Sequence, residues 1–531
     1  MKQAHSTNTP FSLAWTGRSK GFSFLLIAVF LSAFSYAQSE IDAFRISGSD
    51  LTGTARGQAM GGAFGSLGGD ITGVTINPAG IGIYRASELS ATLGLNSINI
   101  KTQGAASAND KNKLKFNLDN ISYVGYFPIG DDYLQSVNFG FSYNKEKDFN
   151  RNYSAGGNAL PVSLTDYIAY RTNGIPKREI DYDDAFRGNA PWLGILGWQG
   201  GLIDNLANSE DQYGSVLAKD EKVNTQLIVS EKGYTDNYNF TLGTNFSNSL
   251  YLGFTLSLTD IYYRMDALQR EDADGSKYLS LSNYLQTEGS GYQVKVGAIW
   301  RPLDFLRLGV AYHSPTWYTL KDFYQGRITA NLSGNYSCST PEDNAGLDYR
   351  FTAPYSWTFS AAGILGAKAV VSVDYELKDY GSMTFSDQYS SISDNFEGQN
   401  KDISMDFKMA STLRAGLEYR FTSQLSGRLG YALKEHPYEA KIKNREIEVV
   451  TAGTIPHYTI EGAINYFTAG LGYRFTPNFY MDAAFVYRTQ KDDLYSYSSI
   501  WDRNGKFLVD SRPVRLTNTS YKGLVSLGYK F

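Results

Sequence analysis

Short hydrophobic strands arrive in pairs along this chain, and their pairing limits the possible folds more than any other sequence feature. Within each strand, apolar and polar residues alternate with a period of two, which predicts a β-strand with one apolar and one polar face. Six pairs are joined by short turns. They are 121–127 with 137–143, 240–246 with 250–256, 294–300 with 306–312, 357–365 with 369–375, 413–421 with 425–431, and 469–475 with 479–487.

An opening strand at 87–100 and a closing strand at 522–531 raise the predicted count to fourteen. Long polar segments, including 144–239 and 257–293, separate the pairs, so short turns lie on one side and long loops on the other. This arrangement predicts an all-β, transmembrane antiparallel barrel of the outer-membrane type. No stretch after the N-terminus has 18 consecutive apolar residues, so a closed barrel is the expected way to cross a membrane. The alternative is a soluble multi-sheet protein of the cell envelope.

The N-terminus resembles a secretory signal. Basic Lys2, Arg18 and Lys20 precede an apolar run at 21–35, and Ser35-Tyr36-Ala37 predicts removal of residues 1–37. That removal takes away three of the 49 basic residues and leaves 46 against 53 acidic ones, a net charge of −7. A nucleic-acid partner is not expected from this balance. The one cysteine, Cys338, excludes a disulfide framework and a cysteine-based metal site.

The stretch from Leu51 to Arg85 is rich in Gly and Ala, short on charge, and ends near Asn77-Pro78-Ala79-Gly80. It is too apolar for a linker and too glycine-rich for a stable helix or a plain strand. A fourteen-stranded barrel encloses an open lumen unless something fills it. We therefore expect residues 38–86 to form a plug, or hatch, that starts on the short-turn side, and residues 87–531 to form the barrel with its long extracellular loops.

The plug segment also resembles a known family. Gly61, Gly62 and the Asn77–Gly80 run are similar to the N-terminal hatch of the FadL/TodX family, outer-membrane transporters of long-chain fatty acids and aromatic hydrocarbons. This resemblance implies a fourteen-stranded barrel that moves small hydrophobic compounds passively across the outer membrane of a Gram-negative bacterium. It also implies capture at the extracellular rim, a shift of the hatch, and lateral exit beside a kink in the third strand. Gly140 lies in the middle of that strand here, and its alternative role is that of an ordinary barrel glycine.

Loop 144–239 carries an unusually apolar stretch for an extracellular segment. A short amphipathic helix is predicted over 163–170, and the stretch after it is a candidate site for ligand capture. The alternatives are a loop that folds on its own small core, or contact with lipid of the outer leaflet. The candidate capture residues are Trp192, Leu193, Ile195, Leu196 and Trp198.

Arginines share the parity of the polar, lumen-facing positions, namely Arg307, Arg414, Arg420, Arg428 and Arg474. Arginine binds a carboxylate head group through two parallel hydrogen bonds, which suits a fatty-acid ligand. The alternative is that these residues brace the barrel wall or the plug through ion pairs between strands. A turn centred on Ser423 predicts that Glu418 lies directly across from Arg428, and the next turn places Asp482 diagonal to Arg474.

Catalysis, cofactors and metals find little support in the sequence. His313, His436 and His457 fall in predicted loops, and neither a Gly-x-Ser-x-Gly elbow nor an HExxH motif occurs. The expected partners are outer-membrane lipid, a hydrophobic small molecule, and the barrel-assembly machinery through the strand ending in Phe531, with the chain as a monomer. The rival function is a plugged surface barrel that acts as an interaction or secretion-accessory module. An outer-membrane lipase is disfavoured.

Overall fold

A computed structural model describes residues 38–103, 113–207, 209–219, 221–342, 347–366, 368–388 and 396–531, so the predicted signal peptide lies outside the described residues. In chain order the strands are β1 (Glu88–Gln103), β2 (Lys113–Pro128), β3 (Leu134–Asp148), β4 (Arg151–Leu160), β5 (Ile203–Asn205), β6 (Tyr213–Ser215), β7 (Val223–Phe246), β8 (Leu250–Asp272), β9 (Tyr278–Leu303), β10 (Leu306–His313), β11 (Trp317–Asn331), β12 (Asn335–Ser339), β13 (Leu347–Thr352), β14 (Ser356–Leu365), β15 (Ala369–Asp379), β16 (Thr384–Asp387), β17 (Met409–Arg420), β18 (Leu425–Lys434), β19 (Tyr458–Ile460), β20 (Ile464–Arg474), β21 (Phe479–Tyr495), β22 (Ile500–Trp501), β23 (Phe507–Val509) and β24 (Val514–Lys530).

A closed antiparallel barrel of 14 strands confirms the predicted fold. Its order around the wall is β1, β2, β3, β7, β8, β9, β10, β14, β15, β17, β18, β20, β21 and β24. The first and last strands close the ring, with partners running from Glu88 opposite Lys530 to Gln103 opposite Arg515. We call this pairing the seam.

The wall is apolar on its outside and polar on its inside, as a barrel in lipid requires. On β8 the outward residues from Leu250 to Leu258 are all leucine or phenylalanine, whereas the inward Thr255 and Ser257 are buried in the lumen. Eight residues of tilted strand span about 20 Å, close to the height of an outer-membrane apolar band. Exposed aromatics at the short-turn end, such as Trp300 and Phe421, form the predicted girdle.

One wall sector is much taller than the sequence predicts. The segments 223–239 and 257–293, expected to belong to polar loops, are mostly strand, and β8 and β9 meet at a short turn after Asp272. The loop prediction was wrong because the strands leave the lipid above Leu258. Their outward residues become polar there and their inward residues become apolar, so the alternation expected of a strand in lipid is reversed. We call the part of β7, β8, β9 and β11 above the apolar band the tall sector.

The plug lies inside the barrel, as predicted. It comprises α1 (Glu40–Ser47), α2 (Ala55–Ala59), α3 (Ile71–Ile76) and a 3-10 helix over Pro78–Ile83. One prediction about it was wrong, because α1 packs against α6 (Glu397–Asp406) among the extracellular segments rather than starting on the short-turn side. Among the described residues, no helix is both long and apolar enough to cross a membrane.

The described part of the extracellular segment 161–222, which we call the cap, contains two α-helices and two 3-10 helices, Lys177–Glu179 and Ala185–Arg187. Helix α4 (Leu164–Thr172) confirms the predicted amphipathic helix and packs against α5 (Trp192–Gln199). Both belong to a buried apolar cluster that includes Leu281 of β9, Ile328 of β11 and Val509 of β23. The cap therefore rests on the tall sector and on the segment that joins β21 to β24. A last short helix, α7 (Ala440–Lys443), lies in another extracellular segment.

Candidate functional site

Glycines on the inner wall give the plug its space. A Cβ atom added at any of these positions would lie between 2.0 and 2.8 Å from a plug atom, closer than real Cβ contacts allow. They lie on eight wall strands, β3, β7, β8, β9, β10, β17, β18 and β20, and contact the plug from two sides, and we call them the glycine belt. Its members are Gly140, Gly243, Gly253, Gly297, Gly309, Gly416, Gly430 and Gly470.

Asn77 positions the predicted hatch motif. Its buried side chain donates from Nδ2 to the carbonyl of Gly65 at 2.8 Å and to that of Ala298 on β9 at 3.2 Å. Its Oδ1 accepts from the N–H of Ala79 at 3.1 Å, which caps the 3-10 helix that begins at Pro78. One amide thus connects two plug segments with the wall.

The neighbouring hatch residues also fit into closely packed space. Pro78 lies against Gly253 of β8, Ala79 is fully buried, and Gly80 lies close to Gly68 within the plug. Gly61 and Gly62 turn the chain after α2 with φ of 65° and 77°, a region that favours glycine. Gly61 also packs against Gly430 of β18.

Three lysines from three wall strands bind the backbone at the C-terminal end of the first plug helix. Nζ of Lys147 donates to the carbonyl of Arg45 at 2.8 Å, and Nζ of Lys378 donates to that of Ser47, also at 2.8 Å. Lys434 donates to the carbonyl of Ser49 at 3.0 Å. The last carbonyls of a helix have no partner within it, so these lysines satisfy groups that otherwise stay unpaired. We call this set the lysine clamp.

An ion-pair network ties the lower plug to the wall. Arg56 of α2 donates to both oxygens of Glu418, at 2.8 and 3.1 Å, and Nε of Arg428 donates to Glu418 at 2.7 Å. Arg428 also pairs with Asp482. Glu418 lies directly opposite Arg428, as predicted from the turn. Arg428 therefore braces wall and plug.

The other predicted lumen arginines are not gathered at one place. Arg307 donates to the carbonyl of Leu67, and Arg414 pairs with Glu376 of β15. Arg474 is exposed at the short-turn end of the lumen. Asp482, expected diagonal to Arg474, pairs with Arg428 because Gly472 between them has no side chain to block that contact. These arginines do not form one carboxylate site.

A cavity of about 170 Å³ separates the plug from the upper wall. Its lining is rich in charged groups and includes two members of the lysine clamp. His313, expected in a loop, ends β10 on this lining, and its Nε2 lies 2.9 Å from the carbonyl oxygen of Ile76. The charged residues on the lining are Asp50, Glu146, Lys295, Glu376, Lys378, Arg414, Lys434 and Glu435. The space next to the plug therefore suits water and polar groups.

Strand β3, which is described throughout, pairs without interruption at Gly140. The residue lies opposite Val124 of β2 and Thr241 of β7, and the register shifts of β3 occur only near its two ends. The hydrogen-bonded ladder is thus continuous at the position where the resemblance implied a kink. Gly140 instead leaves room for Ile81, whose Cδ1 lies 2.6 Å from an added Cβ.

The candidate capture residues lie in the cap. Leu193, Ile195 and Leu196 are buried, and the two indoles are partly buried. Trp192 contacts Phe186 edge-on, and Trp198 has the ammonium group of Lys177 4.7 Å from its ring centre. This placement corresponds to the alternative in which the loop folds on its own core.

Glu271 of β8 fastens the cap to the tall sector. Ser163 donates its hydroxyl to this carboxyl, and the N–H of Leu164 donates to both oxygens at 3.1 Å. Burial raises the pKa of the Glu271 carboxyl to about 7, and nearby Asp166 also raises it, although the two hydrogen bonds lower it. The site lies above the apolar band, so it meets the external pH.

We expect the cap to dock most tightly in mild acid. Docking raises the pKa of the Glu271 carboxyl from 4.5 to about 7, so the carboxyl stabilises the docked cap fully below pH 4.5. This stabilisation is lost as the pH rises to 7, and the free energy of docking changes by up to about 3 kcal/mol. The accessibility of the Cys338 thiol reports on cap docking, because its Sγ lies under α5, 3.7 Å from the carbonyl of Leu196.

The measurement is the labelling rate of Cys338 in the native chain divided by the rate in Glu271→Gln at the same pH, which cancels the titration of the thiol. The ratio should rise roughly tenfold or more between pH 5 and pH 8. A ratio that stays flat across this range contradicts the role given to Glu271.

Several functional residues were not foreseen. Asp374 accepts from the N–H groups of Phe64 and Gly65, both at 2.9 Å, and its inward parity on β15 was the available signal. The lysine clamp lies near strand ends that the sequence assigned to loops. Among the described residues, no cluster of three or more His, Cys, Asp or Glu side chains is arranged to bind a metal ion.

Comparisons with known proteins agree with this architecture. The profile of the family described as outer membrane protein transport protein (OMPP1/FadL/TodX) matches residues 209–513. A crystal structure of a Pseudomonas aeruginosa FadL homologue aligns with 91% of this chain and 99% of its own, at 15% identity and a TM-score of 0.51. The P. putida toluene transporter TodX covers the same shares at 13% identity, with a TM-score of 0.47. No curated protein sequence matches the chain.

Proposed function

Because this chain belongs to the outer membrane protein transport family (OMPP1/FadL/TodX), we propose that it passes small hydrophobic compounds across the outer membrane without an energy source. It is a multi-stranded barrel of the Gram-negative outer membrane. The compounds are of the size and polarity of long-chain fatty acids or aromatic hydrocarbons. No catalytic step is part of the proposal.

The observation that supports transport most directly is how the plug is held. Hydrogen bonds between side chains and backbone, from the lysine clamp to the plug and from Asn77 to the wall, account for much of its polar attachment. Such bonds each contribute about 1 kcal/mol net and exchange readily with water or ligand, unlike a continuous apolar interface. A plug attached in this way can shift and return.

The proposed route begins at the cap. The partly buried faces of Trp192 and Trp198 meet the ligand, while Leu193, Ile195 and Leu196 support them from the core. Movement of the plug then withdraws Ile81 from Gly140 and Gly243, which leaves an unfilled space beside β3. Lateral exit into the membrane would occur there, after the intact ladder of the closed state bends.

The test is uptake of labelled oleate and labelled toluene by cells that lack their own transporter. The native chain should exceed the empty control, and Trp192→Ala/Trp198→Ala should lower uptake severalfold at equal outer-membrane levels. Trp501→Ala is the matched control, because this indole is also extracellular but lies outside the cap. A chain lacking residues 41–76 shows whether any passage depends on the plug.

A second candidate is a plugged surface barrel that serves as an interaction or secretion-accessory module. Two observations support this candidate, the closed core of the cap and the charged cavity next to the plug. The same experiment separates the two candidates. If the intact chain takes up neither compound, and only the deletion of residues 41–76 admits polar dyes, transport is refuted and the interaction module becomes the better function.

A further inference from the structure

The outer face of the tall sector begins where the lipid-facing band ends. On β8, Leu258 is the last outward residue of the band, and Asp260, Tyr262 and Arg264 follow it on the same face. On the neighbouring strands the outward residues become polar at the same height, after Tyr238 on β7 and Tyr292 on β9. These two residues lie on either side of Leu258. The face is therefore continuous with the surface that contacts lipid acyl chains, at the level of the lipid head groups.

Three tyrosines form an ordered group on this face. Tyr234 lies opposite Tyr262, with their ring centres 6.2 Å apart, and Tyr284 follows on β9. Tyr234 donates to Asp260 at 3.3 Å, and the hydroxyls of the other two donate to Oε1 of Gln286, at 3.3 and 2.7 Å. Because strands carry them and hydrogen bonds hold them, the rings are fixed in advance of any ligand. We call these residues the tyrosine face.

Charged groups surround the rings in equal numbers of each sign. Arg264 is held by Asp266 through two bonds of 3.0 Å and lies 5.0 Å from the ring centre of Tyr284. Lys232 is exposed beside Arg264 on the neighbouring strand. The outward cations are Lys145, Lys232, Arg264 and Lys321, and the outward acids are Asp236, Asp260, Asp266 and Glu288. A balanced face of this kind does not select a polyanion by charge alone.

The opposite side of the barrel provides a comparison. There β21 and β24 also rise above the band, beyond the neighbouring rings of Tyr487 and Tyr521. Their next outward residues include Lys491 and Thr517, which lie opposite each other. Equal height therefore does not by itself produce an aromatic face, and the tyrosines belong to one sector.

We propose that the tyrosine face binds the phosphorylated sugar head group of the glycolipid that forms the outer leaflet of this membrane. Fixed aromatic rings stack on the C–H faces of sugars, while carboxylates and amides bond to sugar hydroxyls. Lys232, beside the rings, contacts a head-group phosphate. The position of the face identifies this ligand. When the acyl chains of an outer-leaflet lipid cover Leu258, the head group of the same lipid lies against the tyrosine face. The inference is independent of the transport proposal, because the face lies outside the lumen.

The experiment measures retention of purified rough-type lipopolysaccharide by the full chain in detergent, using native mass spectrometry. The variant Tyr234→Ser/Tyr262→Ser/Tyr284→Ser should lose retention by about tenfold or more, whereas the triple Tyr→Phe variant keeps its rings and should stay within about threefold of the native chain. The control Lys491→Ser/Thr517→Ser alters the opposite face at a similar height and should retain the glycolipid fully. Phosphatidylglycerol, which has a phosphate but no sugar ring, tests whether the sugar is recognised.

Each outcome is decisive. Loss in the serine variant, with retention in the phenylalanine and control variants and weak retention of phosphatidylglycerol, supports the site. Equal retention by native and serine chains overturns it, as does equal loss in the control. If phosphatidylglycerol is retained as well as the glycolipid, sugar recognition is refuted. Unchanged uptake of oleate or toluene by the serine variant separates this site from the transport route.

Discussion

Replacing the three clamp lysines together, as Lys147→Met/Lys378→Met/Lys434→Met, should open the barrel to small polar solutes. Methionine keeps most of the side-chain volume but cannot donate to the carbonyls of Arg45, Ser47 and Ser49. Each lost hydrogen bond contributes about 1 kcal/mol net, so the three losses total about 3 kcal/mol. That change raises the population of a loosened plug roughly a hundredfold.

The measurement is entry of a chromogenic β-lactam that is hydrolysed in the periplasm. Three exposed lysines on the outside of the barrel or in a turn provide the matched control, as Lys101→Met/Lys368→Met/Lys491→Met. We expect the control to match the native chain. If the clamp variant leaks no more than this control, the plug is held by other contacts and the clamp has no role in closing the lumen.

The second large effect concerns the glycine belt. An added Cβ at Gly253 would lie 2.2 Å from the carbonyl carbon of Pro78, and one at Gly430 would lie 2.2 Å from the backbone nitrogen of Gly61. Both obstacles are backbone, so a flexible side chain cannot relieve them. Each Gly→Ala change should cost about 1–3 kcal/mol, and the double variant about twice that, because the two sites do not share a plug contact.

The temperature at which the purified barrel loses its compact gel mobility should therefore fall in Gly253→Ala/Gly430→Ala, and protease should cut the plug faster. Gly363→Ala/Gly523→Ala is the control, since an added Cβ at either position meets nothing within 4 Å. Equal stability of the two double variants would mean that the plug does not fill the space that the glycines leave.

The barrel strands were predictable because lipid imposes one pattern on all of them. Where the wall leaves the lipid above Leu258, the outward residues become polar or aromatic and inward residues such as Ile261 and Met265 are apolar, so the pattern that lipid imposes no longer marks the strand. The turn centred on Ser423 fixed the pairing of Glu418 with Arg428. The same reasoning missed the contact of Arg428 with Asp482, because it depends on the empty space at Gly472 rather than on register.

The candidate site was only partly predictable for a different reason. The hatch motif could be recognised because Asn77 and its neighbours are close together in sequence. The core of the cap joins Ile195 to Leu281, Ile328 and Val509, which are far apart in sequence, and nothing local in residues 192–198 shows that these partners exist. An exposed groove and a buried core give the same apolar stretch in the sequence.

The seam between β1 and β24 has a consequence for the order of assembly. It pairs the first and last strands of the barrel, so it is the most distant contact in sequence and the costliest to close. The plug is joined directly to β1 and is contacted by the glycine belt on two sides of the lumen. We therefore expect the plug to enter before the two strands meet, so that the barrel closes around it.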